Sequence, residues 1–205
     1  MPKNLESVDH SSDSVWLNKI QLDTSDNVVL SASSGKGKTT FTHLLSGIRR
    51  EYSGTILFDD KDISSFNIDD WTSIRKSCIS VIYQDLQIFP HLTVTENILI
   101  KNNLLSHLSI DEIDHYLSEL QIINKKDVIC SKLSMGQCQR VAIVRSLCQP
   151  FKWILMDEPF SHLDKKNANK AFDIIKHKAK EYNAGIIITC LDDQKEAFFN
   201  KSLNI

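Results

Sequence analysis

Short, wholly apolar runs alternate along the chain with stretches whose apolar residues recur at helical spacing. A short apolar run between turn-forming residues predicts a buried strand, whereas apolar residues three and four apart predict a helix. The predicted strands are residues 15–22, 28–30, 55–58, 78–83, 153–156 and 185–189. The predicted helices of the second half are residues 135–148 and 165–182. Strands that alternate with helices imply an α/β fold with a largely parallel sheet that helices cover.

The pattern between residues 85 and 135 is helical and contains no strand signal. Thr95 is the expected cap of the first helix in this block, and Ser109 and Glu112 have the spacing of a capping box. The apolar stripe behind that box consists of Ile113, Leu117 and Leu120. We therefore expect residues 85–135 to form a helical subdomain inserted within a single domain of residues 1–205.

Composition excludes several functional classes. The chain has 205 residues and a net charge of −2, which argues against a general binder of nucleic acids or membrane surfaces. No apolar run approaches the ~20 residues of a membrane span, and the N-terminus is too polar for a signal peptide. The five scattered cysteines lack a C-x-x-C spacing, which favours a reduced, cytosolic protein without structural zinc. Residues 1–14 are polar and are expected to be loose.

The strongest chemical signal follows the strand at 28–30. A loop of small residues ends in the sequence GKGKTT (35–40), where an apolar-spaced helix begins. Glycines let successive backbone N–H groups point at an anion, and the helix N-terminus adds partial positive charge. Lys38 would reach the β- and γ-phosphates of a nucleotide, and the Thr39 hydroxyl would bind Mg²⁺. Ala32 stands where the strict pattern has glycine. The competing interpretation is a chance Gly/Ser/Lys-rich turn.

Two carboxylates follow the strand at 153–156. Asp157 comes directly after the apolar run, at the sheet edge where α/β proteins bind ligands, and Glu158 comes next. Asp157 would hold Mg²⁺, usually through water, and Glu158 would orient and polarise the water that attacks the γ-phosphate. The alternative is an ordinary strand end with exposed acids.

A second anion site is possible at the helix that opens near Ser134. Ser134 is a good N-cap, and Gln137 completes a capping box. A well-capped helix alone would explain this pattern. However, a helix start with exposed N–H groups also binds anions, and because the chain already has its own phosphate loop, this site would serve a nucleotide held by a partner chain.

Together these motifs resemble those of the ATP-binding cassette (ABC) ATPases. The resemblance rests on five ordered motifs from about residue 15 to the C-terminus: ASSGKGKTT (Walker A), Gln84 in VIYQD (Q-loop), LSMGQCQR (signature), WILMDEP (Walker B) and Ser161-His162-Leu163-Asp164 (D-loop). The segment QDLQIFPHLTVTENI is most similar to the lipoprotein-release, macrolide-exporter and cell-division branch.

The resemblance implies a phosphate-loop NTPase core, with a mostly parallel sheet flanked by helices, a small antiparallel β part and an inserted helical subdomain. It assigns catalysis to Glu158, Gln84 and Lys38, and Mg²⁺ binding to Thr39, Gln84 and Asp157. The ATP-binding residues by match are Ser34, Gly35, Lys36, Gly37, Lys38, Thr39, Thr40, Gln84, Ser134, Gly136, Gln137 and Asp157.

The resemblance also implies partners. Two copies would form a head-to-tail dimer around two ATP molecules, and Asp164 would link the two sites. The helical subdomain would receive a transmembrane permease, which places the protein in the cytoplasm on the inner face of the cell membrane. The chain would then be an ATPase that drives export or extraction of a lipid, a lipoprotein or a small molecule. The alternative is an ATP-gated dimeric clamp that regulates a membrane complex with little or no hydrolysis.

Departures from the family pattern bear on the rate of hydrolysis. Met135 replaces the first glycine of the signature, and Cys190 stands where the family has a histidine that contacts the γ-phosphate. A thiol is a weak donor and does not replace an imidazole, so slow turnover is expected. No residue clearly supplies the aromatic ring that stacks on adenine. Trp16 is a candidate for it, although a core position is favoured.

Overall fold

The computed structural model describes residues 1–6, 8–31, 35–190 and 198–205. Within these residues, a five-stranded sheet has the order β4-β5-β6-β1-β7, and every described pair of neighbouring strands in it is parallel. In chain order the elements are β1 (Asn27–Ser31), α1 (Lys38–Leu45), β2 (Leu57–Phe58), β3 (Lys61–Asp62), α2 (Ile68–Ser77), β4 (Ile79–Ile82), α3 (Val94–Asn102), α4 (Ile110–Glu119), α5 (Met135–Leu147), β5 (Trp153–Asp157), α6 (Lys165–Glu181), β6 (Gly185–Cys190) and β7 (Lys201–Asn204).

The sheet is covered on both faces, as the apolar runs predict. Alternate residues of a strand point to opposite faces, and β6 shows this alternation clearly. Ile186 and Ile188 belong to one buried cluster with α5 and α6, whereas Ile187 belongs to a second cluster with α1 and α2. The inner strands β5 and β6 are almost entirely buried, which is why apolar residues occupy both of their faces. The predicted parallel α/β fold is confirmed, and β2 and β3 form the small antiparallel part.

Helices α3 and α4 lie between β4 and α5 in the chain, and both begin at a capping box. The predicted box at Ser109 and Glu112 is confirmed, and the stripe behind it is buried in the same cluster as α5 and α6. The cap predicted at Thr95 is wrong, because Thr93 is the residue with a glutamate three positions later and its side chain accepts the N–H of Glu96. The boundaries 85–135 of a separate subdomain stay a prediction.

The strand predicted over residues 15–22 is wrong. Residues 15–18 form turns and a bend, residues 19–22 have no regular structure, and the bridge between Ser14 and Asn204 lies just before the segment. The Asn18 side chain donates to the carbonyl oxygens of Ser12 and Ser14, at 2.7 and 3.0 Å, and these local bonds curl the backbone. Strand β7 was not predicted, since its residues alternate between half-buried and exposed positions and carry little apolar signal.

The N-terminal residues 1–14 are not loose where the structure describes them. Pro2 forms an antiparallel bridge with Tyr52, and the N-terminal amine of Met1 donates to the Ser53 carbonyl oxygen. Leu5 is buried, so one apolar side chain anchors an otherwise polar segment.

Because β1, β4, β5 and β6 are parallel, their carboxyl ends meet at one edge of the sheet. This edge receives the loop before α1, the segment after β4, and the acidic end of β5. Among the described residues, no helix is both long and apolar enough to cross a membrane.

Candidate functional site

The loop before α1 has the backbone geometry of a phosphate cradle. Gly35 and Gly37 have φ angles of +81° and +110°, a region that side chains with a Cβ avoid. Helix α1 begins at Lys38, directly after Gly37, so the first N–H groups of the helix are not used within it. Ala32 and Ser34 lie outside the described residues.

Four predicted side chains converge at the carboxyl edge of the sheet. The Lys38 Nζ lies 3.9 Å from Glu158 Oε1, and the Gln84 Nε2 donates to Glu158 Oε2 at 3.2 Å. The Thr39 hydroxyl donates to Gln84 Oε1 at 3.5 Å. Lys38 is only 7 % exposed, so its ammonium is held inside the site rather than in bulk water. The loop, the residue after β4 and the end of β5 therefore form one site, as the motifs predict.

Asp157 is 2 % exposed, and it is held by a residue that the sequence analysis missed. The Thr189 hydroxyl donates to Asp157 Oδ1 at 2.5 Å. Its own oxygen, Thr189 Oγ1, accepts the backbone N–H of Glu158 at 3.1 Å. Thr189 lies directly opposite Asp157 in the parallel pairing of β5 with β6. One hydroxyl thus fixes both acidic residues, the first through its side chain and the second through its backbone.

The segment after Gln84 is shaped by a half-buried arginine. Leu86 and Gln87 both have positive φ, at +60° and +47°. The Arg145 guanidinium of α5 donates to their carbonyl oxygens at 2.7 and 2.8 Å. Burial lowers the pKa of Arg145, but an arginine stays protonated under such a shift. These two bonds hold the turn that follows Gln84.

The signature residues lie at the start of α5 and bond to each other. Gln137 Oε1 accepts the Ser134 N–H at 3.0 Å, and Ser134 Oγ accepts the Gln137 N–H at 3.3 Å, which confirms the predicted capping box. Met135 is 53 % exposed and points away from the core. Gly136 packs closely on the D-loop: a Cβ built on it would lie 2.6 Å from the His162 carbonyl oxygen. None of the described contacts joins Ser134 or Gln137 to the phosphate loop of the same chain.

The D-loop ends at Asp164, which caps α6 and accepts the Asn167 N–H at 2.9 Å. Hydrogen bonds from Asn167 lower the pKa of this carboxyl group, so it is ionised at neutral pH. His162 and His177 are exposed.

Gln139 lies within the signature motif LSMGQCQR, but the sequence analysis assigned it no role. Its side chain is 1 % exposed, its Nε2 donates to the Glu158 carbonyl oxygen at 3.4 Å, and its Oε1 accepts the His162 N–H at 2.9 Å. A glutamine inside a helix gives no sequence signal of its own, because its two partners are distant along the chain.

Three further predicted positions, Lys36, Thr40 and Cys190, have no described contact with Lys38, Gln84 or Glu158. The Lys36 Nζ donates to the Asp9 carbonyl oxygen at 2.6 Å, so the lysine side chain contacts the N-terminal segment. The Thr40 hydroxyl accepts from Arg49 at 3.4 Å. Cys190 ends β6 and pairs with Ser31 across the sheet, which sets its backbone at the same edge as the site.

Trp16 has the core contacts that the sequence favours. It is half-buried, and its ring meets Phe41 of α1 edge to face with 5.9 Å between the ring centroids.

Comparison with known proteins gives the same assignment. Residues 18–161 match the family described as ABC transporter. The chain is 35 % identical over 182 residues to the lipoprotein-releasing system ATP-binding protein LolD of Buchnera aphidicola, covering 86 % of this chain and 79 % of that protein. It is 34 % identical to the putative hemin import ATP-binding protein HrtA of Staphylococcus haemolyticus, covering 79 % and 75 %.

A solved structure supports the fold alone. The dimeric post-hydrolysis state of the ATP-binding cassette MJ0796, bound to ADP and Pi, superposes with a TM-score of 0.81 at 23 % identity, over 91 % of this chain and 83 % of that one. The family match covers well over half of the sequence, and the motifs that define it meet at one edge of the sheet. The chain therefore belongs to the ABC transporter family, as an ATP-hydrolysing subunit.

Proposed function

We propose that two copies of this chain close head-to-tail around two ATP molecules, hydrolyse them, and thereby drive a transmembrane permease. The observation that carries this proposal is the convergence of two side chains on the Glu158 carboxylate. The Lys38 Nζ lies 3.9 Å from one of its oxygens, and the Gln84 Nε2 lies 3.2 Å from the other. A clamp that binds ATP without hydrolysing it is not favoured, because such a clamp has no use for a glutamate held at this position.

Each residue of the convergent set has a distinct proposed role. Lys38 neutralises charge on the β- and γ-phosphates, and its short distance from Glu158 keeps the ammonium near the reacting end of the nucleotide. Glu158 orients and polarises the attacking water, with its carboxylate held by the Gln84 amide. Gln84 would therefore contact both the catalytic carboxylate and the Mg²⁺ that the nucleotide carries.

The chemistry of the donor set fits Mg²⁺. Thr39, Gln84 and Asp157 offer a hydroxyl, an amide oxygen and a carboxylate, and these hard oxygen donors suit Mg²⁺, which also keeps waters and phosphate oxygens as ligands. Thr39 Oγ1 and Gln84 Oε1 are already 3.5 Å apart. The Thr189 hydroxyl fixes the Asp157 carboxylate by a hydrogen bond to Oδ1. When bound, Mg²⁺ would offset the negative charge of the β- and γ-phosphates.

The head-to-tail arrangement explains the exposed signature. Its capping box uses Ser134 Oγ and Gln137 Oε1 as acceptors, so the Ser134 hydroxyl proton and the Gln137 amide N–H groups are the ones able to donate to a phosphate. Together with the N–H groups of the helix start, they would contact the γ-phosphate on the partner copy. We propose that Asp164 joins the two sites across the same interface.

The region 85–135 is proposed as the subdomain that receives the permease. It exposes seven large apolar side chains, an unusual amount for a surface that stays in water. They are Phe89, Ile100, Leu104, Leu105, Ile110, Ile129 and Met135. A peripheral position on the cytoplasmic face of the cell membrane follows from this partner.

The cargo is proposed to be a lipid, a lipoprotein or a small molecule that is exported or extracted from the membrane. Similarity to LolD supports the lipoprotein class, and similarity to HrtA supports a broader range of cargo.

Steady-state phosphate release with Mg-ATP tests the proposed base. Glu158→Gln keeps the size of the side chain but removes its charge, so turnover should be lost while ATP still induces dimers that light scattering detects. Glu119→Gln is the matched control, because Glu119 is an exposed carboxylate at the end of α4, and it should keep parental turnover. If Glu158→Gln keeps most of the parental turnover, another residue is the base and the proposal fails.

A further inference from the structure

We infer that Gln139 is a positioning residue for the hydrolysis step, and that it ties the start of the signature helix to the backbone of Glu158. The inference rests on the proposed role of Glu158 as the base. It adds a residue that touches neither nucleotide nor water but sets where the base stands.

The side chain of Gln139 links helix α5 by two hydrogen bonds to the turn that follows β5. Its Nε2 donates to the Glu158 carbonyl oxygen at 3.4 Å, and its Oε1 accepts the His162 N–H at 2.9 Å. The side chain is 1 % exposed, so water does not compete for either partner. The amide therefore fixes helix α5 to both ends of the turn that follows β5.

Glu158 depends on such outside contacts. Its φ angle is +47°, a left-handed conformation that costs a residue with a Cβ free energy and persists only where neighbours hold it. Thr189 holds its N–H at 3.1 Å, and Gln139 holds its carbonyl oxygen. The Ser161 N–H also donates to that carbonyl oxygen at 3.3 Å, so loss of the Gln139 amide loosens the turn around Glu158 without freeing it, and the carboxylate shifts with the turn.

A second contact, one turn earlier in α5, keeps the helix seated. Gly136 lies so close to the His162 carbonyl oxygen that a Cβ there would stand 2.6 Å from it. The helix start thus packs directly on the turn between Glu158 and the D-loop. Since Ser134 and Gln137 on this same helix start would contact the partner copy's nucleotide, any shift of the helix reaches Glu158 through Gln139.

The competing explanation is that Gln139 merely satisfies polar groups in the core. The chain offers a matched control for it in Gln149, which is also 1 % exposed and also donates its Nε2 to a backbone carbonyl oxygen, that of Ile79 at 3.0 Å. Ile79 begins β4 and lies at the sheet edge opposite the site. Gln149→Leu therefore removes a similar bond far from the base.

The test measures kcat and KM for ATP with the purified full-length chain, for Gln139→Leu and Gln149→Leu beside the parent. Gln139→Leu should lower kcat about 10- to 100-fold, because small misplacements of a catalytic group have costs of this size. KM and the affinity for ATP in the absence of turnover should change less than about threefold, since the residue does not contact nucleotide. Gln149→Leu should lower the melting temperature without lowering kcat at a temperature where it is folded.

Gln139→Glu supplies a second readout, which holds even if Gln139→Leu does not fold. A buried carboxyl group takes up a proton more readily than an exposed one, and its protonated form can donate to the Glu158 carbonyl oxygen as the amide does. The activity of Gln139→Glu relative to the parent should therefore fall as pH rises from about 6 to about 9.

Three outcomes overturn the inference: parental kcat in folded Gln139→Leu, equal loss of kcat in both leucine variants, or a pH-independent activity ratio for Gln139→Glu. Parental turnover in Glu158→Gln would instead overturn the proposed base. A dead Glu158→Gln beside a fully active Gln139→Leu would refute the positioning role alone.

Discussion

Thr189→Val removes the one hydroxyl that fixes both acidic residues of the site. Valine has nearly the same shape as threonine and the same branching at Cβ, so the fully buried position in β6 stays filled. Two interactions are lost: the donation to Asp157 Oδ1 at 2.5 Å and the acceptance of the Glu158 N–H at 3.1 Å. The second loss is partly covered, because the same N–H also reaches the Thr189 carbonyl oxygen at 3.2 Å.

The main cost is therefore the bond to the Asp157 carboxylate, which is 2 % exposed and gains little from water. A hydrogen bond to a charged group contributes about 1.5–3 kcal/mol to stability. For a domain of this size each 1 kcal/mol shifts the melting temperature by about 2–4 °C, so the expected fall is about 3–12 °C. The Mg²⁺ concentration that gives half-maximal turnover should rise about tenfold, because the metal-binding carboxylate loses its fixed orientation.

Calorimetry without nucleotide and phosphate release over a Mg²⁺ titration measure the two effects separately. Thr189→Ser is the control: it keeps the hydroxyl and loses one methyl group, which costs about 0.8 kcal/mol but should leave the Mg²⁺ dependence unchanged. An unchanged Mg²⁺ dependence in Thr189→Val would refute the idea that this hydroxyl positions Asp157.

Three other predictions follow from single positions. Gly37→Ala should weaken ATP binding at least tenfold in a fluorescent-nucleotide titration, because φ is +110° and the new Cβ would stand 2.6 Å from Leu5 Cδ1; unchanged affinity would contradict the cradle geometry. Burial raises the pKa of the Cys148 thiol to about 12. The stability that the protonated thiol gives the folded state is complete below the unfolded pKa of about 8.5, and it is lost as pH rises towards about 12. Urea unfolding from pH 8 to 10 should therefore show a steeper loss of stability, by up to about 1.4 kcal/mol per pH unit, in the parent than in Cys148→Ala, and equal slopes would disprove it. Cys190→His should raise kcat without changing ATP affinity, and a variant no faster than the parent would show that the missing imidazole does not limit turnover.

The strand ends could be predicted from the sequence because parallel strands bring their carboxyl ends to one edge. Once 28–30, 78–83 and 153–156 are assigned as strands, the phosphate loop, Gln84 and Asp157 must meet there. Their side-chain contacts, such as the 3.2 Å bond from Gln84 to Glu158, follow from that topology. The cap at Ser109 was equally local, since its partner is three residues away.

The supporting residues could not be predicted in this way. Thr189 holds Asp157 across 32 residues of chain, and the contact depends on the register that sets these two residues opposite each other in β5 and β6. Gln139 meets Glu158 across 19 residues, through the way α5 packs on the turn after β5. Neither register nor helix packing can be read from one sequence. The failed strand at 15–22 has a different cause, because local bonds from the Asn18 side chain outweighed a weak apolar pattern.

The contacts also separate the residues proposed to bind ATP from the residues proposed to set its rate of hydrolysis. Lys38, the glycine turns and the start of α1 would form the proposed binding part. Glu158 belongs to the reacting part, where Gln84, Thr189 and Gln139 hold its carboxylate, its N–H and its carbonyl oxygen. A cysteine in place of the family's histidine would remove one γ-phosphate donor but would leave the proposed base, its three supports and the lysine in place. Removal of a single transition-state donor costs about 10²–10³ in rate, so we expect this substitution to slow the ATPase rather than to turn it into a binding protein.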